Sequence, residues 1–159
     1  MTLYDTILVP TDGSREGEQA LAHAFDLAAT HDATIRALYV INAASYGGLQ
    51  MNTLEGIADA LHGQGEVAVG RVEDLAPADV PVETVVRDGT PSHVIVEEAA
   101  TTDCDLVVMG THGRGGIDRL LLGSVTERVV RQSPVPVLTV QIDRENVREA
   151  ADRSPIVLE

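Results

Sequence analysis

The feature that most constrains the fold is the alternation of short aliphatic runs with helix-period segments. Thr6-Ile7-Leu8-Val9, Thr34 to Ile41, Val82 to Arg87, Asp105-Leu-Val-Val-Met109 and Pro134 to Val140 are rich in β-branched residues and nearly continuous in apolar character. Strands of a parallel sheet read this way, because crossover helices cover both of their faces. Between these runs lie segments whose apolar residues recur at three- and four-residue steps. Ala20, Leu21, Ala24, Phe25 and Ala28 make one face of a helix from Ser14 to about His31. Met51 to Ala76 carries Leu54, Ile57, Leu61, Val72 and Leu75 at roughly helical spacing. Thr90-Pro91 pairs an N-cap with a proline at the first helical position and opens a helix to about Thr101; a last helix runs from about Ser124 to Gln132. Strand and helix in repetition give an α/β class with a mostly parallel sheet. A chain of 159 residues suits one domain, expected over residues 1–140, with 141–159 as a charged C-terminal tail.

Local punctuation sharpens these boundaries. Pro10 stops the first run, and Thr11-Asp12-Gly13-Ser14 offers turn and capping chemistry. Residues 42–50 are small and aperiodic and read as a loop. Gly56, Gly63, Gly65 and Gly70 interrupt the long second helix at about 1 kcal/mol each against Ala, so a weak or kinked helix is expected there. Pro134 and Pro136 lack N–H donors, which places the start of the last strand at a sheet edge.

Composition then removes whole classes of function. Residues are 44% hydrophobic but 3% aromatic, so the core is aliphatic. The 25 acids stand against 11 bases, a net charge of −14, and every one of those bases is Arg. A Walker A loop and a Schiff base both need a lysine, so neither can operate. The negative charge disfavours nucleic acid and anionic membrane surfaces, and neither is expected as a partner. The same acid excess without lysine leads us to expect a chain adapted to high salt. Cys104 has no partner for an internal disulfide, and no signal segment or apolar run near about 18 residues occurs, so a soluble cytoplasmic domain is expected. His23, His31, His62, His93 and His112 show no metal-ligand spacing, and Cys104 reads as a small buried residue rather than a redox centre.

Between Gly110 and Ser124 lie Gly110, Gly113, Gly115, Gly116 and Gly123, followed by a helix start. Glycine lets backbone approach an anion closely, and a helix N-terminus adds free N–H groups and a positive dipole end. Residues 110–133 hold four Arg against two acids, +2, while the remaining residues carry −16. A lysine-free phosphate cradle fits this stretch, and on spacing alone so do glycine turns beside a solvated arginine face. In open α/β sheets, ligands bind beyond the carboxyl ends of the strands where strand order reverses. Pro10 to Gly13 and Gly110 to Ser124 both follow strands. Competing motifs fail on named residues. A G-x-G-x-x-G counted from Gly113 meets Asp118, the lysine of a receiver domain is absent, and Pro10-Thr-Asp-Gly-Ser14 does not match an adenylating Ser-Gly-Gly-x-Asp-Ser loop.

Gly110-x2-Gly113-x9-Gly123-Ser124, with Asp105 to Met109 before it and Ser133-Pro-Val-Pro-Val137 after it, resembles the universal stress protein family in its ATP-binding branch. Ile7-Leu-Val-Pro-Thr-Asp-Gly-Ser14 is similar to that family's first strand and loop, and the likeness spans about Thr6 to Val140. The resemblance implies a three-layer α/β/α domain, Rossmann-like and of the adenine nucleotide alpha hydrolase type, with five parallel strands in the order 3-2-1-4-5. It implies ATP as ligand and a homodimer formed through the last strand, Val135 to Val140. Asp12 would contact the ribose; Pro10, Thr11 and the backbone of Val40 would border adenine. Gly110 and Gly113 would lie beside ribose and phosphates. Gly123 and Ser124 would hold the terminal phosphates, with Ser124 also a contact of a nucleotide-bound Mg2+. Met109, Thr111, His112, Arg114, Gly115, Gly116, Val125 and Thr126 complete the implied binding set, Gly115 and Gly116 being atypical of the family. Asp12 and Ser124 each retain a second reading as helix caps. The implied function is a nucleotide-dependent regulatory module of the stress response with slow or no hydrolysis. The alternatives are a Mg2+-dependent ATPase or adenylyl-transferring enzyme, and a module binding AMP or a cyclic nucleotide in the same pocket.

Overall fold

The computed structural model describes residues 2–15, 17–42, 51–111 and 122–141. Along the chain come β1 (Thr6–Pro10), α1 (Glu18–His31), β2 (Thr34–Ile41), α2 (Met51–Leu75), β3 (Val82–Asp88), α3 (Pro91–Thr101), β4 (Leu106–Gly110), α4 (Ser124–Gln132) and β5 (Val137–Val140). The five strands form one sheet in the order β3-β2-β1-β4-β5, with every pairing parallel, as the family likeness implies. The chain steps outward from β1 through β2 to β3, then crosses back to lay β4 on the other side of β1. Strand order therefore reverses between β1 and β4.

Period-two alternation divides the core between the two faces of the sheet. Ile7, Val9, Ile35 and Ala37 face α1 and α2, where Leu21, Ala24, Phe25, Val69 and Val72 meet them. Leu8, Leu38, Val107 and Met109 face α3 and α4 and pack on Val94, Ile95, Ala99 and Val129. Among the described residues Phe25 is the one aromatic side chain in the buried core, as the low aromatic content leads one to expect.

Three details depart from the sequence reading. Helix α1 begins at Glu18 rather than Ser14, because Asp12 Oδ1 accepts from both the N–H and the hydroxyl of Ser14, and Ser14 Oγ accepts from Gly17 N–H at 3.3 Å. With Gly13 at φ +77°, these bonds hold the segment in a turn that a helix cannot enter. Strand β5 begins at Val137 rather than Pro134, since Ser133 Oγ bonds both the N–H and the carbonyl of Val135. The prolines do mark an edge, β5 being an outer strand. Helix α2 is unbroken from Met51 to Leu75, and Gly65 within it lies against the sheet, where a Cβ would come within 2.8 Å of Val86 and 2.9 Å of Tyr39.

At the β3 edge an ionic cluster sits beneath α3. The Glu98 carboxylate, 4% exposed, accepts from Arg36 Nε at 2.8 Å and Nη2 at 2.7 Å, and from Arg87 Nη1 at 2.7 Å. Glu83 and Glu97 pair with the outer sides of the same two arginines. Glu98 is one of three polar residues buried among the described residues, with Ser92 and Thr126.

Candidate functional site at the reversal of strand order

The residues singled out at the ends of β1 and β4 come together at the reversal point, the place where an open α/β sheet offers a crevice. On the β1 side, pairing with β2 ends at Pro10 opposite Leu38, and Thr11 N–H closes it on the Leu38 carbonyl at 2.8 Å. The turn that follows is organised by its own side chains. Gly13 N–H donates to Thr11 Oγ1 at 3.1 Å, and Ser14 N–H donates to Asp12 Oδ1 at 2.9 Å. Asp12 is thus an Asx-turn residue rather than the cap of α1, whose N-cap is Gly17. Its carboxylate is held by Ser14, and the residue is half-buried just past the end of β1.

Val40 stands two residues beyond Leu38 on β2. Peptide groups along a strand face alternate sides, and the two ends of this alternation are visible in the Leu38 carbonyl turned to Thr11 and the Ile41 carbonyl turned to Gly89. Val40 therefore directs its N–H and C=O to the β1 side, past the last paired residue of β1. A donor and an acceptor side by side at such a position match the edge of a planar heterocycle.

On the β4 side, Thr111 N–H pairs with the Val140 carbonyl at 2.9 Å, and the Thr111 carbonyl accepts from Gly123 N–H at 2.7 Å. This second bond seats the start of α4 directly at the end of β4. Gly123 is the N-cap of α4, and the first bond inside the helix runs from Glu127 N–H to its carbonyl at 2.9 Å. The N–H groups of Ser124, Val125 and Thr126 precede that bond and have no acceptor within the helix. Ser124 is exposed at the first helical position, so it does not cap the helix. Thr126 is 3% exposed, and its hydroxyl donates to the Gly110 carbonyl at 2.8 Å. Met109 is buried in the core cluster under α3 and α4, where Val125 also packs, so their side chains belong to the scaffold of the site. His112, Gly113, Arg114, Gly115 and Gly116 lie outside the described residues.

No three His, Cys, Asp or Glu side chains converge on a metal position among the described residues. Cys104 is buried beside Thr102 Oγ1 at 3.1 Å, and burial pushes its thiol above the ordinary value, which suits a packing residue rather than a reactive one. No helix of the described residues is long and apolar enough to cross a membrane. Sequence reasoning missed the two bonds that join β4 to α4, Thr111 to Gly123 and Thr126 to Gly110. The one available signal was a hydroxyl residue at the third position of an otherwise charged and valine-rich helix.

Comparison with known proteins settles the lineage. The model of the universal stress protein family matches residues 3–141. The chain belongs to the universal stress protein family. Among curated relatives, universal stress protein MJ0531 of Methanocaldococcus jannaschii is 39% identical over 141 residues, covering 87% of this chain and 83% of that protein. The putative universal stress protein SSP1056 of Staphylococcus saprophyticus is 33% identical over 145 residues, covering 90% and 87%. Among solved structures, the hypothetical protein MJ0577 superposes with a TM-score of 0.76 at 28% identity, covering 90% of this chain and 99% of that one. A universal stress protein in complex with cAMP superposes at 0.65 with 26% identity, covering 89% and 100%. These family structures share the five-stranded α/β architecture described above.

Proposed function

We propose that this universal stress protein binds ATP in the crevice between β1 and β4 and acts as a homodimeric, nucleotide-dependent regulatory module with slow or no hydrolysis. The observation that carries the reading is the convergence at one reversal point of a heterocycle-matching peptide edge at Val40, the fixed Asp12 carboxylate and the open N-terminus of α4. Adenine lies along Val40, Pro10 and Thr11, and the ribose hydroxyls donate to Asp12. The phosphates run over Gly110 to the first turn of α4, where free N–H groups and the helix dipole favour negative charge. Gly113, which the family likeness also assigns to the phosphates, lies outside the described residues. A chain without lysine has this backbone chemistry and arginine available for phosphate.

Mg2+ fits the site only as a companion of the nucleotide: Ser124 offers one exposed hydroxyl, and the described residues supply no carboxylate cluster to hold the ion alone. When bound, the ion would neutralise phosphate charge. Slow turnover follows from the engagement of Asp12, whose Oδ1 already accepts two bonds from Ser14 and is not poised as a general base toward water. Dimerisation is assigned to the β5 edge, which carries Leu138 at 38% exposure.

The cAMP complex of a family member at 26% identity supports a second reading, in which the same pocket takes a cyclic nucleotide. Mass spectrometry of ligand released from freshly purified protein, followed by calorimetry with ATP, AMP and cAMP in molar KCl, decides between them. Tightest binding of ATP supports the main reading, and preference for cAMP supports the second. The absence of any co-purified or titratable nucleotide refutes both. Gly123→Val and Gly113→Val should abolish binding; at 123 the backbone (φ −58°, ψ 152°) is open to any L-residue, so that variant adds a side chain without a dihedral penalty.

A further inference from the structure

Thr126 is buried, polar and placed one turn into a helix whose outer residues are exposed, and its role is not obvious from the pocket. The peptide unit joining Gly110 to Thr111 gives the clue. Its N–H is bound to the Val140 carbonyl of β5, so its carbonyl points the opposite way, away from β5. A carbonyl so placed at the end of β4 would need solvent or a ligand for its partner. Thr126 Oγ1 reaches it from α4 at 2.8 Å, within a site left 3% exposed.

Two bonds therefore connect β4 to α4 on either side of the residues between them. Gly123 N–H to the Thr111 carbonyl fixes the N-cap, and Thr126 to Gly110 fixes the first turn. One bond alone would fix the N-cap without fixing the direction of the first turn. Two bonds set both the position and the direction of its N-terminal N–H groups. Val129, one turn further along α4, is buried in the core, and Val125 packs against the same cluster.

We propose that the Thr126 side chain is a positioning group: its hydroxyl does not touch the nucleotide but holds the α4 N-terminus in line with the phosphates by occupying the Gly110 carbonyl. This rests on the ATP-binding reading above and refines it, because it assigns the phosphate side of the pocket to a geometry maintained from the core. Loss of the hydroxyl would leave the Gly110 carbonyl without this donor and release the first turn of α4 from the end of β4.

Thr126→Val keeps shape and removes the hydroxyl. ATP affinity is expected to fall about tenfold, the scale of one lost hydrogen bond together with a misdirected helix terminus, while adenosine affinity changes less than twofold. Thr126→Ser should restore the ratio of ATP to adenosine affinity. A purely structural residue would weaken both ligands alike or neither, and that split is the readout. Circular dichroism verifies folding of each variant; if Thr126→Val does not fold, Thr126→Ala against Thr126→Ser gives the same comparison. Equal losses for ATP and adenosine, unchanged ATP affinity, or failure of Thr126→Ser to rescue each overturn the proposal. If the unmodified protein binds neither ligand, the ATP-binding reading itself fails and this one with it; binding by the unmodified protein with an unaltered variant refutes the positioning role alone.

Discussion

Three glycines of α2 that look alike in the sequence should respond in opposite ways to the same substitution. A Cβ added at Gly63 or Gly70 meets nothing within 4 Å, whereas one added at Gly65 comes within 2.8 Å of Val86 Cγ1, 2.9 Å of Tyr39 Cδ1 and 3.3 Å of Val86 Cγ2. In a helix interior, alanine is favoured over glycine by about 1 kcal/mol, because glycine loses more backbone freedom on folding. Gly63→Ala and Gly70→Ala should each gain about that much. The sites are seven residues apart, roughly 10 Å along the axis at the helical rise, so their effects should add to about 2 kcal/mol. At about 2–4 °C per kcal/mol for a chain of this size, the double variant should melt about 4–8 °C higher. At Gly65 the same propensity gain meets a valine with a stiff χ1 and an aromatic ring on the sheet, and overpacking of this kind costs about 1–3 kcal/mol. The net there is a loss of about 0–2 kcal/mol. Thermal unfolding followed by circular dichroism at fixed KCl measures all three. A Gly65→Ala variant as stabilised as Gly63→Ala would refute the close approach of α2 to β2 and β3, and a destabilised Gly63→Ala would refute the open face.

Glu98→Gln should cost about 3 kcal/mol in urea unfolding, since it leaves two guanidiniums without the buried carboxylate they share; Glu83→Gln, on the exposed side of Arg36, should cost less than 1 kcal/mol, and equal losses would refute the distinction. Cys104 should react slowly with thiol reagents in the native state and quickly in urea. Because burial raises its folded value above the ordinary 9.0, its contribution to stability is whole below pH 9 and is lost as pH rises through the folded value; Cys104→Ala should flatten that decline, and an unchanged slope would exclude it as the source. With a net charge of −14, the thermal midpoint should rise between about 0.1 and 1 M KCl as the Debye length shortens from about 10 to 3 Å, and a flat profile would remove the reading of adaptation to salt. Leu138→Arg on the β5 edge should convert the proposed dimer to monomer in light scattering, with Leu138→Thr leaving it intact; a monomeric unmodified protein would refute the dimer, and a dimer unaltered by Leu138→Arg would move the interface elsewhere.

What could be read in the sequence was what is local. The five strand runs and the starts of α3 and α4 carry their own signals: β-branched runs, Thr90-Pro91, and Gly123 before Ser124. Where side chains compete with the backbone, reading by period fails. The apolar spacing from Ala20 onward could not reveal that Asp12 and Ser14 would spend their bonds on a turn, nor that Ser133 would hold Val135 out of β5. Contacts between distant residues were hidden altogether. Glu98 lies on the face that carries Val94, Ile95 and Ala99, an anomaly visible in the pattern, but its partners stand 62 and 11 residues away. The candidate site divides along the same line. Its residue types follow from the glycines, from Asp12 and from a charge balance that excludes lysine, while its geometry depends on Thr126 reaching back 16 residues to Gly110. The missing lysine makes that geometry matter. A lysine tolerates small displacements because a flexible ammonium follows its phosphate, whereas backbone N–H groups point only where their helix points. In the proposed phosphate site the precision requirement therefore falls on whatever fixes α4, and besides the packing of Val129 that includes two hydrogen bonds at the end of β4, one of them made by a buried threonine.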